Sequence, residues 1–172
     1  MLSIYAILLK IISLIMKIKI IVVGKSTGKD LISLEQKFEN RLKHYCKIDY
    51  IIIPQIKKAG KLLPKDLKHK EGLAILSKIL ASDYLILLDE KGEMFNSIDF
   101  SKFIQKKILN SHKSLVFVIG GAFGFSEELY SRANHKFSIS KMTFSHQLIR
   151  VIFKEQLYRA FTILKGEKYH NE

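Results

Sequence analysis

Residues 115–128 read LVFVIGGAFGFSEE, and this stretch decides the fold class of the chain. Its first five residues are apolar, β-branched or aromatic, which predicts a buried strand. Gly120 and Gly121 close the strand, and Ser126 begins a short helix with two glutamates in its first turn, where the helix dipole stabilises them. A buried strand that leads through a glycine turn into a helix is one unit of an α/β fold.

The alternation of strand and helix continues on both sides of this unit. Apolar runs predict further strands at 17–24, 48–54, 84–88 and 137–140. Helical periodicity predicts helices at 31–45, 71–81, 97–109 and 144–164, with Ser97 as the N-cap of the third. Segments 55–70 and 89–96 are predicted to be loops. This order predicts an α/β fold with a mostly parallel sheet and helices on both faces.

The chain has 172 residues, the length of one ordinary domain. Residues 1–15 are almost entirely apolar, but they lack the basic start and cleavage site of a signal peptide. They are also shorter than the ~20 residues that a membrane-spanning helix needs. Met16 begins a natural-looking strand, MKIKIIVVG. We therefore predict a single domain at 16–172 and interpret 1–15 as an apolar extension from a misassigned start; a membrane tether is the alternative.

The charge balance favours a polyanionic partner. Lysine and arginine number 29 against 16 acidic residues, for a net charge of +13. Such a charge attracts nucleic acid or an anionic membrane surface, although a lysine-rich solvated surface gives the same balance. The single cysteine, Cys46, excludes an internal disulfide and fits a reducing, cytoplasmic location. Without a Cys/His cluster we predict no metal site.

The segment 24–30, GKSTGKD, resembles a phosphate-binding loop but does not meet its requirements. A Walker A loop has four residues between its glycines and a Ser or Thr after the lysine. Here three residues separate the glycines, and Asp30 follows Lys29. The segment also lacks the three spaced glycines of a dinucleotide fold, so the sequence argues against both an ATPase and a Rossmann enzyme.

In parallel sheets, ligands bind beyond the carboxyl ends of the strands, which directs attention to the loops after Leu88, Ile119 and Ser140. The glycines after Ile119 let backbone amides approach a ligand closely. The loop 140–145, SKMTFS, is short enough to surround an adenine with main-chain contacts. Either loop alone is equally typical of an ordinary strand–helix turn.

The long helix after this loop carries two polar rows. His146, Arg150 and Lys154 are spaced by four residues, and Glu155 and Arg159 form a neighbouring row. These rows suit either a solvated surface or contacts to phosphates. The chain ends in Tyr169-His170-Asn171-Glu172, whose aromatic ring and imidazole can stack on a base and hydrogen-bond its edge, if the end is not simply frayed.

Four runs together resemble the RlmH family of ribosomal RNA methyltransferases, of the SPOUT class. They are MKIKIIVVGK (16–25), LLDEKG (87–92), IGGAFGFSEELY (119–130) and SKMTFSHQLIRVIFKEQLYRAFTILKGEKYH (140–170). The resemblance spans residues 16–172, and the helix with YRA and the Tyr-His tail are its most specific parts. It departs from the family at Lys168, where many members have proline, and at Asn171, where a basic residue is common.

The resemblance implies an α/β sheet with a C-terminal trefoil knot and a homodimer that uses S-adenosylmethionine. It implies methylation of N3 of a pseudouridine of 23S rRNA in the assembled ribosome. The tail of one protomer would complete the substrate site of the other. The residues implied to hold the cofactor are Leu88, Gly121, Ser140, Lys141, Met142, Thr143, Phe144 and Ser145.

Within that family we assign catalytic roles as hypotheses. Arg159 is expected to stabilise the anion that develops on the imide. His170 is the expected proton acceptor, with His146 as the other available imidazole and Tyr169 stacking on the base. Arg150, Lys154 and the lysines of 57–70 are expected to bind phosphates.

Two other functions fit the residues. One is a non-catalytic basic module that binds RNA or ribosomes, and it predicts RNA binding without affinity for S-adenosylmethionine. The other is a SPOUT methyltransferase that acts on tRNA, which would need a different RNA-binding surface.

Overall fold

The computed structural model describes residues 17–56, 59–110 and 114–170, so the predictions for residues 1–15 lie outside it. Within these ranges the elements are β1 (Lys17–Val23), α1 (Lys29–Leu42), β2 (Lys47–Ile53), α2 (Pro64–Leu76), β3 (Tyr84–Met94), α3 (Ser97–Leu109), β4 (Ser114–Ile119), α4 (Glu127–Arg132), β5 (His135–Ser138) and α5 (Leu148–Leu164). A short 3₁₀ turn, Ala59–Lys61, precedes α2.

The five strands form one sheet in the order β2-β1-β4-β3-β5, and each neighbouring pair is parallel. The central strand β4 begins at Ser114, and all six of its residues are buried. A strand that is buried on both faces explains why its sequence is continuously apolar. The predicted parallel α/β sheet is confirmed, whereas the trefoil knot stays a prediction.

Helices cover both faces of the sheet. Phe117 of β4 points to a core that it shares with residues of α1, α3 and α5, among them Leu42, Ile104 and Phe153. The neighbouring Val118 belongs to a second core, which α2 and α4 cover. Alternate strand residues thus face opposite layers, as the period of a β-strand requires. Cys46 is 2% exposed and belongs to the first core.

Two predicted loops are partly wrong because tertiary contacts extend the regular structure. Helix α2 begins at Pro64, where a missing N–H costs nothing at the first helical turn, and it ends at Leu76. Strand β3 continues to Met94 through an irregularity between Leu88 and Glu93, after which it pairs with β5 again. The polar sequence of 89–94 gave no sign of this second pairing.

Two helix starts also differ from the prediction. The N-cap of α3 is Asn96 rather than Ser97, since its side chain accepts a hydrogen bond of 2.8 Å from the Asp99 amide. Helix α5 begins at Leu148 instead of residue 144. The Ser145 hydroxyl accepts a hydrogen bond of 3.2 Å from the Leu148 amide, which ends the preceding loop and starts the helix.

A buried ion pair joins β1 to the amino ends of β3 and β4. Lys19 Nζ lies 2.7 Å from an Asp83 carboxylate oxygen, and the two side chains are 10% and 2% exposed. Asp83 also accepts hydrogen bonds from the Ser114 hydroxyl and the Leu80 amide. Burial alone would raise the pKa of Asp83. The hydrogen bonds from Lys19, Ser114 and Leu80 lower it by more than burial raises it, so the net pKa lies below the usual value.

We expect Asp83→Asn to lower the free energy of unfolding by about 1–3 kcal/mol at neutral pH. A carboxyl whose pKa is depressed by folding stabilises the fold above its unfolded pKa and loses that effect as the pH falls through its folded pKa. The deficit should therefore shrink in acid, which urea titrations from pH 7 to pH 3 would measure. The exposed Asp30 supplies the control Asp30→Asn, expected to cost less than about 1 kcal/mol. A deficit that stays constant across this range would contradict the ion-pair account.

Candidate active site

The carboxyl ends of β4 and β5, together with the irregularity of β3 after Leu88, open into one cavity of about 740 Å³. Its walls come from residues 88–91, from the glycine loop (residues 120–124) and from the loop 138–146. This volume lies within the range of about 300–1,000 Å³ that is typical of small-molecule sites. The predicted location beyond the strand ends is where the structure places a ligand-sized cavity.

The glycine loop is a tight turn that brings backbone to the cavity wall. The Gly124 amide donates to the Gly121 carbonyl at 3.3 Å, and Gly124 has a φ of +79°, which favours glycine. A Cβ atom on Gly121 would lie 2.6 Å from a carboxylate oxygen of Glu71 in α2. Only glycine fits at position 121 without moving that buried side chain, which is 8% exposed.

The loop 140–145 is held by side chains of its own serines. The Ser138 hydroxyl donates to the Ser140 carbonyl at 3.0 Å, and the Ser140 hydroxyl accepts from the Met142 amide at 2.9 Å. Ser145 caps α5 at the other end. These bonds shape the loop without a helix or strand, so its remaining backbone groups are free to face the cavity.

Seven of the eight residues predicted to hold a cofactor line this one cavity: Leu88, Gly121, Ser140, Met142, Thr143, Phe144 and Ser145. The eighth, Lys141, belongs to the same loop but is exposed and does not form the wall. His146 also lines the cavity, and burial together with the nearby Arg150 lowers its pKa. Its ring is therefore uncharged near neutral pH and able to donate or accept a hydrogen bond.

The cavity wall also contains charged residues that sequence reasoning missed. Asp89 directly follows Leu88 and accepts hydrogen bonds from the Tyr130 hydroxyl and, at 2.8 Å, from the Lys91 amide. Burial and the Asp89 carboxylate raise the pKa of Tyr130, so the phenol stays protonated and donates. Asp89 lies within the run LLDEKG (87–92) and Tyr130 ends the run IGGAFGFSEELY (119–130), so both runs could have marked these residues.

A second group of side chains lies at the C-terminal half of α5, and we call it the tail cluster: Glu155, Arg159, Tyr169 and His170. Glu155 accepts two hydrogen bonds from Arg159, at 2.6 and 3.1 Å, and one from the Tyr169 hydroxyl at 3.1 Å. The Arg159 guanidinium lies 4.8 Å from the Tyr169 ring centroid and 3.4 Å from His170 Nδ1. The chain end is thus packed onto the helix rather than frayed within the described residues.

The tail cluster and the cavity are separate within one chain. None of the four cluster residues lines the cavity, whereas Ile149 at the start of α5 does. Ten residues of helix separate Ile149 from Arg159, which is about 15 Å along the axis. The structure therefore brings the predicted cofactor residues together and the predicted catalytic residues Arg159, Tyr169 and His170 together, but it does not join the two groups in one protomer.

The prediction that Arg150 and Lys154 bind phosphates is wrong, because both side chains are 1% exposed. Arg150 donates to the Val23 carbonyl at 2.6 Å and to the Gly24 carbonyl at 3.0 Å. Lys154 lies 3.1 Å from a Glu35 carboxylate oxygen. Of the lysines in 57–70, positions 57 and 58 lie outside the described residues, and Lys68 lines the cavity.

No helix within residues 17–56, 59–110 and 114–170 is long and apolar enough to cross a membrane. In that same part of the chain, no three His, Cys, Asp or Glu side chains group in a way that could hold a metal ion.

A parallel sheet with a ligand-sized cavity beyond its strand ends is the arrangement by which α/β proteins bind small organic ligands. The sequence profile described as predicted SPOUT methyltransferase matches residues 16–170. The chain therefore belongs to the SPOUT methyltransferase family, as its motifs predicted.

Curated relatives match the chain along its length. Ribosomal RNA large subunit methyltransferase H of Christiangramia forsetii is 52% identical over 156 residues, covering 91% of this chain and 99% of the relative. The protein of the same name from Flavobacterium johnsoniae is 52% identical over 157 residues, covering 91% and 100%. Among solved structures, a putative methylase family protein from Neisseria gonorrhoeae aligns with a TM-score of 0.48 and 17% identity over 92% of this chain and 87% of its own.

Proposed function

We propose that the chain is an S-adenosylmethionine-dependent methyltransferase of large-subunit ribosomal RNA, acting on N3 of a pseudouridine in 23S rRNA of the assembled ribosome. The observation that carries this proposal is the single cavity that gathers the glycine loop and the loop 140–145. The names of the relatives that are about half identical support the substrate, and the net charge of +13 suits an RNA partner. A cytoplasmic location belongs to the same proposal, because ribosomes are its substrate.

The cavity fits the proposed cofactor in size and in its chemistry. Apolar walls such as Leu88 and Ile119 suit an adenine, and the closely approaching backbone at Gly121 suits its polar edges. The carboxylate of Asp89 offers acceptor oxygens for hydroxyl or ammonium groups. When bound, S-adenosylmethionine supplies a methyl group that its sulfonium already activates. The protein must then align the nucleophile and assist the loss of its proton.

We expect Gly121→Ala to weaken S-adenosylmethionine binding at least tenfold, since the added methyl group displaces either Glu71 or the loop from the cavity wall. Isothermal titration calorimetry with S-adenosylmethionine would measure the change. Gly60→Ala is the matched control, because a Cβ atom there meets nothing within 4 Å. Wild-type affinity in a folded Gly121→Ala protein would remove the glycine loop from the proposed cofactor site.

The substrate side of the proposal rests on the tail cluster of a second protomer. One chain holds its tail cluster about 15 Å from its own cavity along α5, whereas reacting atoms must approach within about 3–3.5 Å. A homodimer in which the tail of one protomer meets the cavity of the other resolves this separation. We therefore propose that the enzyme is a homodimer with composite active sites.

Within such a site, Arg159 is proposed to face the carbonyl oxygens of the pseudouridine and stabilise the imide anion. Its guanidinium donates two hydrogen bonds to Glu155, which leaves Nη1 directed at His170. In that contact the Nδ1 lone pair of His170 accepts from Arg159, because arginine only donates. We propose that Arg159 Nη1 turns from Nδ1 to a carbonyl oxygen of the base, which frees this nitrogen to accept the N3 proton. Tyr169 is proposed to stack on the base. His146, on the cavity wall of the other protomer, is the other imidazole available to the substrate.

Methyl transfer from labelled S-adenosylmethionine to intact ribosomes, free ribosomal RNA and tRNA tests the proposal. We expect label on a pseudouridine of ribosomes and little on the free RNAs. Label on tRNA alone would favour the tRNA-specific SPOUT enzyme. Ribosome binding without any cofactor binding or label would leave the non-catalytic RNA-binding module.

A further inference from the structure

Phe123 of the glycine loop and Phe125, just after the loop, have opposite environments. Phe125 is 4% exposed and packs edge-on against Tyr130, with ring centroids 5.9 Å apart. Phe123, two residues earlier, is 54% exposed and lines the mouth of the cavity. Phe125 belongs to the core below α4, which leaves Phe123 without an obvious structural role.

The turn holds Phe123 in place while its ring stays uncovered. The hydrogen bond between Gly124 and Gly121 and the positive φ of Gly124 close the turn around Ala122 and Phe123. Among the residues that the structure describes, the Phe123 ring has no aromatic or cationic partner. A large aromatic side chain on a fixed backbone loses little freedom when it is covered by a partner.

The surroundings of Phe123 suit a nucleic acid. Lys68 and Lys91 line the same cavity mouth and can contact phosphates. Met142, on the loop 140–145, is 74% exposed and adds a second apolar side chain to the mouth. Asp89, Glu90 and Glu127 line the same cavity, so the phosphate contacts would come from the two lysines and not from a uniformly basic wall. An exposed aromatic ring on a surface that also offers cations is the combination by which proteins bind unpaired nucleotides.

We propose that Phe123 stacks on an unpaired base of the substrate RNA and thereby positions the target nucleotide over the cavity. This inference rests on the proposed function, since it takes the partner to be RNA. The ring lines the cavity and is 54% exposed, so it is available to a macromolecule that covers the site. Stacking is tolerant of base identity, so this contact positions the RNA and leaves sequence selection to other groups.

Kinetic variants test the proposal. We expect Phe123→Ala to raise the KM for ribosomes roughly tenfold, as base–aromatic stacking contributes on that scale, with an unchanged dissociation constant for S-adenosylmethionine. Phe123→Tyr keeps the ring and should behave as wild type. Phe123→Leu keeps apolar area without a π-face and should resemble the alanine variant. Equal KM values for all four proteins would overturn the proposal.

A fluorescent variant tests stacking directly and without catalysis. The chain contains no tryptophan, so Phe123→Trp introduces a unique reporter. We expect its emission to be quenched by a single-stranded RNA oligonucleotide and to be insensitive to S-adenosylmethionine alone. Quenching by the cofactor alone would mean that the ring covers the adenine, and no quenching by RNA would mean that it does not stack; either result overturns the inference.

Two controls separate this inference from the proposed function. Wild-type methyl transfer to ribosomes is measured first, and its failure would remove the proposed function while the fluorescence titration still reports on stacking. Sedimentation of Phe123→Ala then checks the oligomeric state. A change in that state would make Phe123 a contact between copies of the chain and overturn its assignment to RNA.

Discussion

Replacing Arg159 with alanine is expected to lower kcat for ribosome methylation by roughly 100- to 1,000-fold, the cost of losing one preorganised donor to a developing anion. The guanidinium is preorganised because Glu155 binds two of its nitrogens and the Tyr169 ring lies 4.8 Å from it. The affinity for S-adenosylmethionine should change less than about threefold, because the cofactor site of the same chain is about 15 Å away along the helix. Single-turnover methyl transfer and calorimetry measure the two quantities separately.

Two matched variants make the Arg159 result specific. Arg159→Lys keeps the charge but loses the two-pronged contact to Glu155, so an intermediate rate is expected. Arg41→Ala removes a nearby arginine that lies 5.4 Å from the Tyr158 ring centroid and makes no contact with Glu155, and it should leave kcat within about threefold of wild type. A folded Arg159→Ala protein with near-normal kcat would show that the anion is stabilised elsewhere.

Mixing the two impaired variants, at a cofactor concentration below the dissociation constant of Gly121→Ala, tests the composite site. A dimer that combines one Arg159→Ala protomer with one Gly121→Ala protomer has one site with both defects and one site with neither. If the tail cluster serves the cavity of the other protomer, the mixed dimer purified after co-expression should have about half of the wild-type rate. No restoration in a confirmed mixed dimer would place tail and cavity in the same protomer and contradict the proposed arrangement.

The sheet could be predicted because buried parallel strands leave an unambiguous trace in the sequence. The run LVFVI of β4 is apolar at every position, as burial on both faces demands. The second half of β3, DEKGEM, has no such trace because its pairing with the edge strand β5 joins Glu93 to Phe137 and Met94 to Ser138 through backbone groups, which polar residues supply as well as apolar ones. Likewise α2 begins at Pro64 within a lysine-rich stretch whose helix depends on Leu67 and Ile75 packing below.

The site was predictable to the level of loops but not of individual environments. Strand ends pointed to the glycine loop and to 140–145, and the structure places both on one cavity. Helical periodicity placed Arg150 and Lys154 on one side of α5, but it does not tell whether that side faces solvent or the rest of the protein. Since that side faces α1 and the 23–26 turn, the two cations satisfy internal carbonyls and carboxylates, whereas Arg159 on the neighbouring row remains 25% exposed.

The burial of Lys154 leads to the second large effect, a loss of about 3–5 kcal/mol in the free energy of unfolding for Lys154→Ala. Lys154 Nζ lies 3.1 Å from Glu35, 3.3 Å from Glu39 and 3.7 Å from the Tyr50 ring centroid. Glu35 also accepts hydrogen bonds from Ser26 and Tyr50, and its side chain is 8% exposed. Removing the lysine leaves that carboxylate buried without a countercharge. An uncompensated buried charge is what makes the loss of one partner of a buried ion pair strongly destabilising.

The pH dependence identifies the carboxylate that is responsible. Burial alone would raise the pKa of Glu35. The Ser26 hydroxyl, Lys154 and Tyr50 together lower it by more than burial raises it, so the net pKa is depressed. Its stabilising effect is therefore present above its unfolded pKa and is lost as the pH falls through its folded pKa. Lys154→Ala should accordingly be most destabilised near neutral pH, and its deficit should narrow as Glu35 becomes protonated in acid. Urea titrations at pH 7, 5 and 4 measure this trend.

A double variant and a surface control decide between a buried network and a phosphate contact. Lys154→Met combined with Glu35→Gln should recover part of the stability that Lys154→Met alone loses, because both buried charges are then absent. Lys43 pairs with Glu39 at 3.9 Å on the surface, with its side chain 55% exposed, so Lys43→Met should cost less than about 1 kcal/mol. If Lys154→Met instead kept full stability and reduced the salt dependence of RNA binding by about one phosphate contact, the lysine would reach the RNA after all. An ammonium that is 1% exposed and contacts two carboxylates and the Tyr50 ring is out of reach of RNA, so we expect the stability loss.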